Sequence, residues 1–343
     1  LAYASDPAAL PAAIVAERLG LPTNTVATVE TLGVKHKFRD FLELNGFPCP
    51  RHIAFRPTDD IAEIKERLAR LRYPIIVKPT DSSGSKGVTK LLDNTRLETA
   101  IAYADTFSRN KTLIAEEFIE RGFPDVIGGD IFVSDGKIVL YGLMSCLRGD
   151  NGKGLIPIGE RLPSGLSDRQ AQAVRRELQR LVDALEVKAG EMNIEILLDA
   201  DDTPYFLEVG PRAGGNMIPL QLGDAYKVDL VKANVAVAMG EKVNLHTTEP
   251  QGFYMHYVLH SQEGGILDDI EFDSEAEHFI YRKCMYKSKG DTVESFDGAG
   301  KALGIVFLHF DTQQQMDWFC QKHDQLIRVK LKSTRSNGET NHS

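Results

Sequence analysis

The sequence predicts an α/β (α+β) fold, in which helices and strands both contribute to the cores. Helical patterns fill much of residues 1–72, strand patterns dominate residues 73–144, and a long amphipathic helix followed by two strands occupies residues 168–209. The chain has 343 residues, of which 42% are hydrophobic and 26% are charged. This length and composition allow two or three separate cores.

Six helices are predicted from apolar side chains that recur every three or four residues. The first follows Ser5, a potential cap, has Pro7 in its first turn and ends before Gly20. The predicted helices span residues 6–19, 35–45, 60–72, 168–185, 229–239 and 312–323.

Short runs rich in β-branched and aromatic residues predict the strands, and Asp135-Gly136 predicts a hairpin turn. The predicted strands span residues 75–78, 113–118, 131–133, 137–144, 192–198, 205–209 and 303–310. Residues 1–4 read as the end of a further strand, so we expect that residues preceding Leu1 are missing from this sequence.

Charge and cysteine content restrict the classes of partner. A net charge of -9 argues against nucleic acid or an anionic membrane, because both require a basic surface. The four cysteines form no C-x-x-C pair, which suggests a reducing cytoplasm rather than a zinc site or disulfides. No apolar run is long enough to span a membrane. Small-molecule substrates are therefore expected.

A buried strand that ends in a lysine precedes a loop of small residues. Lys78 closes the apolar run from Ile75, and residues 81–88 contain Gly84 and Gly87. Such a loop can bring backbone N–H groups close to phosphate oxygens. An ordinary turn is the alternative, and the loop lacks the Gly-Lys-Ser/Thr ending of a Walker loop.

Two glutamates on consecutive predicted strands form a second candidate site. If the strands pair as a hairpin, Glu195 and Glu208 converge and repel each other unless a cation lies between them. Magnesium suits two carboxylates combined with substrate phosphates. Arg212 follows among glycines and could hold a carboxylate or a phosphoryl group. Two solvated strand glutamates are the alternative.

Between these segments, an apolar strand from Leu113 runs into Glu116, Glu117 and Glu120. Acidic groups there could bind an adenine amino group or ribose hydroxyls, although an ordinary strand end is the alternative.

The order of these motifs resembles the ATP-grasp superfamily over about residues 30–240. The resemblance implies two α+β subdomains that sandwich a nucleotide, preceded by the remnant of a Rossmann-like domain. It also implies ATP and Mg²⁺ as cofactors, with Mn²⁺ possible. A branch of amino-acid ligases and glycinamide-ribotide-synthetase-like enzymes is the most similar.

The resemblance assigns roles residue by residue. Lys35, with Lys37 as a substitute, and Lys78 would contact the nucleotide, and Arg212 the substrate carboxylate or its acyl phosphate. Glu195 and Glu208 would hold magnesium, and Gly210 stands where Asn often adds a ligand. Arg212, Lys78 and Glu208 are the predicted catalytic residues. The remaining predicted nucleotide contacts are Ser83, Gly84, Ser85, Lys86, Gly87, Glu116, Glu117 and Ile119, with Glu120 at the ribose.

The predicted activity is ATP-dependent ligation of a carboxylate to an amine through an acyl phosphate, with release of ADP. A bicarbonate-activating carboxylation and a catalytically silent ATP-binding module remain alternatives. A Rossmann oxidoreductase is disfavoured, since no Gly-x-Gly-x-x-Gly follows an N-terminal strand. Arg148 and Lys153 are candidates to meet the second substrate, and a homodimer is possible.

The predicted organisation has six parts in chain order. These are the end of an N-terminal domain (1–30), a helical linker (31–72), a lid (73–144), a catalytic subdomain (145–244), a strand-rich C-terminal subdomain (245–330) and a disordered tail (331–343).

Overall fold

The computed structural model describes residues 1–149 and 156–332. All six predicted helices are present. Helix α4 ends four residues before its predicted end, because the Leu71 N–H bonds to the Leu68 carbonyl three residues back and tightens the chain into a turn. The α-helices are α1 (Asp6–Arg18), α2 (Val26–Gly33), α3 (Lys35–Leu44), α4 (Ile61–Leu68), α5 (Leu97–Asp105), α6 (Asp168–Ala184), α7 (Ile218–Tyr226), α8 (Leu230–Ala238), α9 (Ser274–Glu277) and α10 (Gln313–Leu326).

The strands include every predicted one except the segment at residues 1–4. That prediction is wrong, because none of the described sheets offers residues 1–4 a partner for their backbone groups. The strands are β1 (His52–Phe55), β2 (Ile75–Pro79), β3 (Thr89–Leu91), β4 (Leu113–Glu117), β5 (Val126–Ser134), β6 (Lys137–Arg148), β7 (Pro157–Leu162), β8 (Gly190–Leu198), β9 (Pro204–Gly210), β10 (Phe253–Leu259), β11 (Gly265–Phe272), β12 (Ile280–Met285), β13 (Thr292–Val293), β14 (Gly304–Phe310) and β15 (Ile327–Leu331).

A four-stranded antiparallel sheet, called the small sheet below, has the strand order β1-β4-β2-β3. Helices α4 and α5 cover it through a core that includes Ile64, Leu68 and Ile101. Glu116 is the register partner of Ile76, and Lys78 lies two residues after Ile76 on the same face of β2. The sheet therefore presents both charged side chains to one region.

An eight-stranded antiparallel sheet, in the order β12-β14-β10-β7-β6-β5-β8-β9, forms the body of the molecule. An apolar core that includes Phe38, Val174, Ile194 and Phe206 joins α3 and α6 to the sheet. A second core, which includes Phe132 and Leu222, joins it to α7 and α8. Because both faces of this sheet are buried, the sheet holds the side chains at its β8–β9 edge in fixed positions.

The C-terminal part combines strands of the large sheet with a third, three-stranded sheet in the order β13-β11-β15. Helix α10 packs Met316 and Phe319 into a core shared with Met255 and Phe310. This region therefore continues the main body through β10, β12 and β14.

The sheets divide the chain differently from the prediction. Strands β5 and β6 were assigned to the lid at residues 73–144, but they pair with β8 and β7 inside the large sheet. Strand β1, assigned to a helical linker at residues 31–72, pairs with β4 in the small sheet. Strand patterns identify strands but not their partners, so the boundaries of the lid and of the linker could not be predicted from short stretches of sequence.

Residue 331 was predicted to begin a disordered tail, but Leu331 lies in β15, so the prediction is wrong at that residue. Residues 333–343 and Lys153 lie outside the described residues. Within the described ranges, none of the helices combines the length and the apolarity needed to cross a membrane.

Candidate active site

A cleft of about 940 Å³ opens between the small sheet and the β8–β9 edge of the large sheet. This volume is in the range typical of small-molecule sites. Within the described part of the chain, Gly87, Glu120 and Arg212 are not among the residues that line the cleft. The predicted site residues that do line it are Lys35, Lys78, Ser83, Gly84, Ser85, Lys86, Glu116, Glu117, Ile119, Glu195 and Glu208.

The two predicted metal ligands face each other across a strand pair. Glu195 on β8 is the direct register partner of Glu208 on β9, and a bulge follows Glu195. Register partners share a face of the sheet, so both carboxylates reach the cleft. The predicted hairpin is therefore confirmed.

Cations relieve the repulsion between these carboxylates. Arg148 Nη2 lies 3.3 Å from Glu195 Oε2, and Lys35 Nζ lies 3.4 Å from Glu208 Oε2. Lys37 instead pairs with Glu30 at the surface, so of these two candidate lysines Lys35 is the one that lines the cleft.

The donor set at this edge fits a magnesium ion that also binds phosphate. Among residues 1–149 and 156–332, no three His, Cys, Asp or Glu side chains are grouped to hold a metal. Two carboxylates are nevertheless the protein ligands that Mg²⁺ commonly takes, because phosphate and water complete its octahedron. Glu195 and Glu208 would be those ligands.

A buried triad of charges lies behind the cleft. Glu116 contacts Lys78 Nζ through Oε2 at 2.6 Å and Arg39 Nε through Oε1 at 2.8 Å. Arg39 is 1% exposed and also donates from Nη2 to the Leu207 carbonyl of β9 at 2.9 Å. The triad thus links the small sheet, α3 and the large sheet.

Burial and charge oppose each other in this triad. Burial alone would raise the pKa of Glu116, but Arg39 and Lys78 outweigh it and lower that pKa to about 2. Burial lowers the pKa of the Lys78 ammonium, an effect that Glu116 opposes. Both oxygens of Glu116 are therefore engaged by cations, and its predicted contact with adenine stays a prediction.

Sequence reasoning missed Arg39 as a site residue, although a signal was present. Arg39 stands between Phe38 and Leu42 on α3, all three being buried. An arginine on the apolar side of a helix requires a buried anion, and Glu116 supplies it.

The 81–88 loop has the conformation that its glycines allow. Gly84, Ser85 and Gly87 have positive φ angles of 67°, 58° and 75°. The Lys35 ammonium donates to the Ser82 carbonyl at 2.7 Å, which holds the start of the loop at the cleft. Such a loop fits the binding of phosphate oxygens by backbone N–H groups.

Gly87 does not line the cleft, and its role is in packing. A Cβ there would lie 3.0 Å from the Pro79 ring and 3.2 Å from Ala104 Cα. Gly87 therefore allows the end of the loop to pass closely over β2 and α5.

Arg212 does not reach the cleft, because its guanidinium binds Asp6. Arg212 Nε donates to Asp6 Oδ1 at 2.7 Å, and Nη2 donates to Oδ2 at 2.9 Å. Asp6 is the first residue of α1, where Ser5 occupies the cap position without a capping side-chain hydrogen bond. Sequence reasoning missed this pair, which joins residues 206 positions apart.

Buried acids anchor the glycine-rich segment around Arg212. Asp130 accepts hydrogen bonds from the Gly214 N–H at 2.8 Å and from Asn193 Nδ2 at 2.9 Å. A Cβ on Gly214 would lie 2.6 Å from Asp130 Oδ1, so this glycine allows a close approach. Burial, and then the neighbouring Asp130, raise the pKa of Glu191 to about 10, so this acid pair retains a proton at neutral pH.

Apolar side chains and an aromatic ring form the other part of the cleft. Ile76, Leu91 and Leu207 line it together with Phe118. The Lys90 ammonium lies 3.4 Å from the centre of the Phe118 ring. A flat aromatic base would suit these surfaces.

Comparison with known proteins identifies relatives of this arrangement. The chain is 28% identical over 268 residues to the uncharacterized protein y4rH of Sinorhizobium fredii. The aligned region covers 75% of this chain and 52% of that protein. The chain thus spans about half the length of this relative.

Two solved structures share the fold. The L-amino acid ligase from Bacillus licheniformis aligns with a TM-score of 0.78 at 22% identity, over 96% of this chain and 80% of that one. The biotin carboxylase domain of the Hydrogenobacter thermophilus 2-oxoglutarate carboxylase, in complex with MgADP, ADP and bicarbonate, aligns with a TM-score of 0.73 at 17% identity, over 94% and 72%.

The ATP-grasp domain family matches residues 33–216. At 22% and 17% identity these two structures show the fold of this chain, and the predicted fold is confirmed. Because the family match covers more than half of the 343 residues and includes every predicted site residue, the chain belongs to the ATP-grasp family.

Proposed function

We propose that this chain is an ATP-dependent carboxylate–amine ligase, which forms an amide bond through an acyl phosphate and releases ADP and phosphate. The register pairing of Glu195 with Glu208 at the cleft is the observation that carries the proposal. Two such glutamates beside a buried lysine and a glycine loop suit phosphoryl transfer, which depends on positioning and charge neutralisation.

The charged side chains and the 81–88 loop have separate roles in the proposed reaction. Lys78 and Lys35 neutralise phosphate charge, and Glu116 holds Lys78 in position through their 2.6 Å contact. The 81–88 loop closes over the phosphates through its N–H groups. The resemblance implies that Arg212 contacts the carboxylate and its acyl phosphate, although Asp6 holds its guanidinium outside the cleft in this structure. The small sheet covers the cleft and excludes water, which would otherwise hydrolyse the activated intermediate.

The proposed cofactors are ATP with Mg²⁺, or Mn²⁺ in its place. Glu195 and Glu208 would hold the metal, which would neutralise phosphate charge. Gly210 supplies no side-chain ligand, so a water would replace the ligand that Asn often adds in the family.

The proposed substrates are a small carboxylate and an amine. We further propose a cytoplasmic enzyme that binds neither nucleic acid nor membranes and that can form a homodimer. The likeness to the amino-acid ligase supports an amino acid as the carboxylate. The likeness to a biotin carboxylase domain in complex with bicarbonate keeps bicarbonate activation as a second candidate.

The test is release of ADP from ATP and magnesium across a panel of amino acids, amino-acid pairs and bicarbonate. Glu208→Gln is compared with Glu98→Gln, since Glu98 is an exposed glutamate of α5 outside the residues that line the cleft. Substrate-dependent ADP release that only Glu208→Gln abolishes supports the proposal. ATP binding without ADP release from any mixture would instead support the silent module.

A further inference from the structure

Glu160 on β7 is a buried acid whose side chain reaches across β6 to β5 in the large sheet. A Cβ at position 128 would lie 2.7 Å from Glu160 Oε1, so Gly128 leaves space for this carboxyl over β5. Ile127 is the register partner of Ile196 in an antiparallel pair. The next position, Gly128, therefore lies opposite Glu195, which lines the cleft. The Glu160 carboxyl thus lies beside the inner end of the cleft.

Two buried atoms at this place lack a hydrogen-bond partner. Glu160 is 8% exposed, and within residues 1–149 and 156–332 its Oε2 has no partner. His256, its register partner on β10, is fully buried, and in the same ranges its Nε2 has none either. His256 Nδ1 donates to Gln221 Oε1, because an amide oxygen only accepts, so Nε2 carries a lone pair. The two atoms do not bond to each other, so each needs a donor from elsewhere.

The charges around Glu160 favour a cationic donor. Burial raises the pKa of Glu160 well above its usual value, Asp130 and Glu195 raise it further, and Arg148 opposes them. A bound cation would reduce this cost, because it stabilises the ionised carboxylate. An ammonium group supplies both the positive charge and three N–H donors. In the part of the chain that the structure describes, no three His, Cys, Asp or Glu side chains are grouped to hold a metal, which favours ammonium over a metal ion.

We propose that Glu160 and His256 form a subsite that binds the ammonium group of the acceptor amine at the inner end of the cleft, beside Glu195. The acceptor is then a primary amine that is protonated in solution, such as the α-amino group of an amino acid. This inference rests on the proposed function. It places the second substrate next to the edge where Glu195 and Glu208 would hold the metal.

The test replaces Glu160 by glutamine, which keeps the size of the side chain and removes its charge. Glu177→Gln is the matched control, because Glu177 is a partly buried glutamate of α6 outside the described residues that line the cleft. Hydroxylamine, which is uncharged at neutral pH, traps the acyl phosphate as a hydroxamate and reports on carboxylate activation alone. Amide-bond formation is followed with a panel of amino-acid amides, which carry an ammonium but no carboxylate.

Glu160→Gln is expected to raise the KM for the amino-acid amide about tenfold or more, a size typical of losing a charged hydrogen-bonded partner. Hydroxamate formation should stay unchanged, because hydroxylamine brings no positive charge to the subsite. Glu177→Gln should change neither measurement. Gly128→Ala displaces the Glu160 carboxyl from β5 and should raise the same KM, so it provides the answer if Glu160→Gln does not fold.

An unchanged KM for the amide in Glu160→Gln would overturn the inference and leave Glu160 as a buried neighbour of His256. An equal loss of hydroxamate and amide products would overturn it too, since Glu160 would then act on carboxylate activation. If the wild-type chain forms neither ADP nor hydroxamate, the proposed function fails. Calorimetric titration with the same amides then decides the subsite: weaker binding to Glu160→Gln than to wild type supports it, and equal binding or none overturns it.

Discussion

The buried triad of Arg39, Glu116 and Lys78 should make stability depend on one carboxylate. Replacing Glu116 by glutamine keeps the shape but leaves two buried cations facing a neutral amide. The pKa of Glu116 falls from its ordinary 4.5 to about 2. By linkage, this difference corresponds to about 3 kcal/mol of stability at neutral pH. Breaking a buried ion pair typically costs about 3–5 kcal/mol, which agrees with this value.

The effect has a defined pH window. Because the pKa of Glu116 is lowered on folding, its contribution is complete above pH 4.5 and is lost as the pH falls toward about 2. The difference between wild type and Glu116→Gln should therefore be constant from pH 7 to 5 and should shrink below pH 4.5. Urea unfolding at pH 7, 5, 4 and 3 measures it, provided that the slope with denaturant stays the same.

Glu98→Gln is the control, because the Glu98 side chain is 70% exposed and its pair with Lys65 at 2.9 Å lies at the surface. Such a pair is worth less than about 1 kcal/mol. A loss below about 1 kcal/mol in Glu116→Gln at pH 7, or a loss that does not shrink below pH 4.5, would refute the reasoning.

Two further predictions concern the glycines of the 81–88 loop and Glu120, which follows strand β4. Gly87→Ala should destabilise the protein by about 1–3 kcal/mol in thermal or urea unfolding, because φ is 75° and the Cβ would meet Pro79 and Ala104. Gly84→Ala, with a similar φ of 67° and nothing within 4 Å of its Cβ, should cost less, and equal losses would contradict the packing role. Glu120→Gln should leave the KM for ATP unchanged, since Glu120 is exposed and is not among the cleft-lining residues that the structure describes. A severalfold rise in that KM would instead support the ribose contact that the resemblance implies.

Local patterns were enough to find six of the ten described α-helices and seven of the fifteen described strands. Helix α6, predicted at residues 168–185, spans Asp168–Ala184, and its start is marked by a capping box between Ser167 and Gln170. The pairing of Glu195 with Glu208 was also predictable, because a hairpin joins neighbouring strands through a short turn. These features depend on residues close in sequence.

The contacts that position the charged groups were not predictable in the same way. Arg39 reaches Glu116 across 77 positions, and Arg212 reaches Asp6 across 206. Strands β5 and β6 looked like part of the lid until their partners β8 and β7 were known. Each depends on how separate elements pack.

The sequence by itself determined six α-helices, seven strands, the order of the motifs and the pair of glutamates, since periodicity, caps and hairpin pairing act over short stretches of chain. Only the tertiary structure decided that Glu116 is held between Lys78 and Arg39, and that Arg212 is turned toward Asp6. The physical reason is burial: a charge removed from water must find a counter-charge, and which one it finds depends on the packing of distant elements.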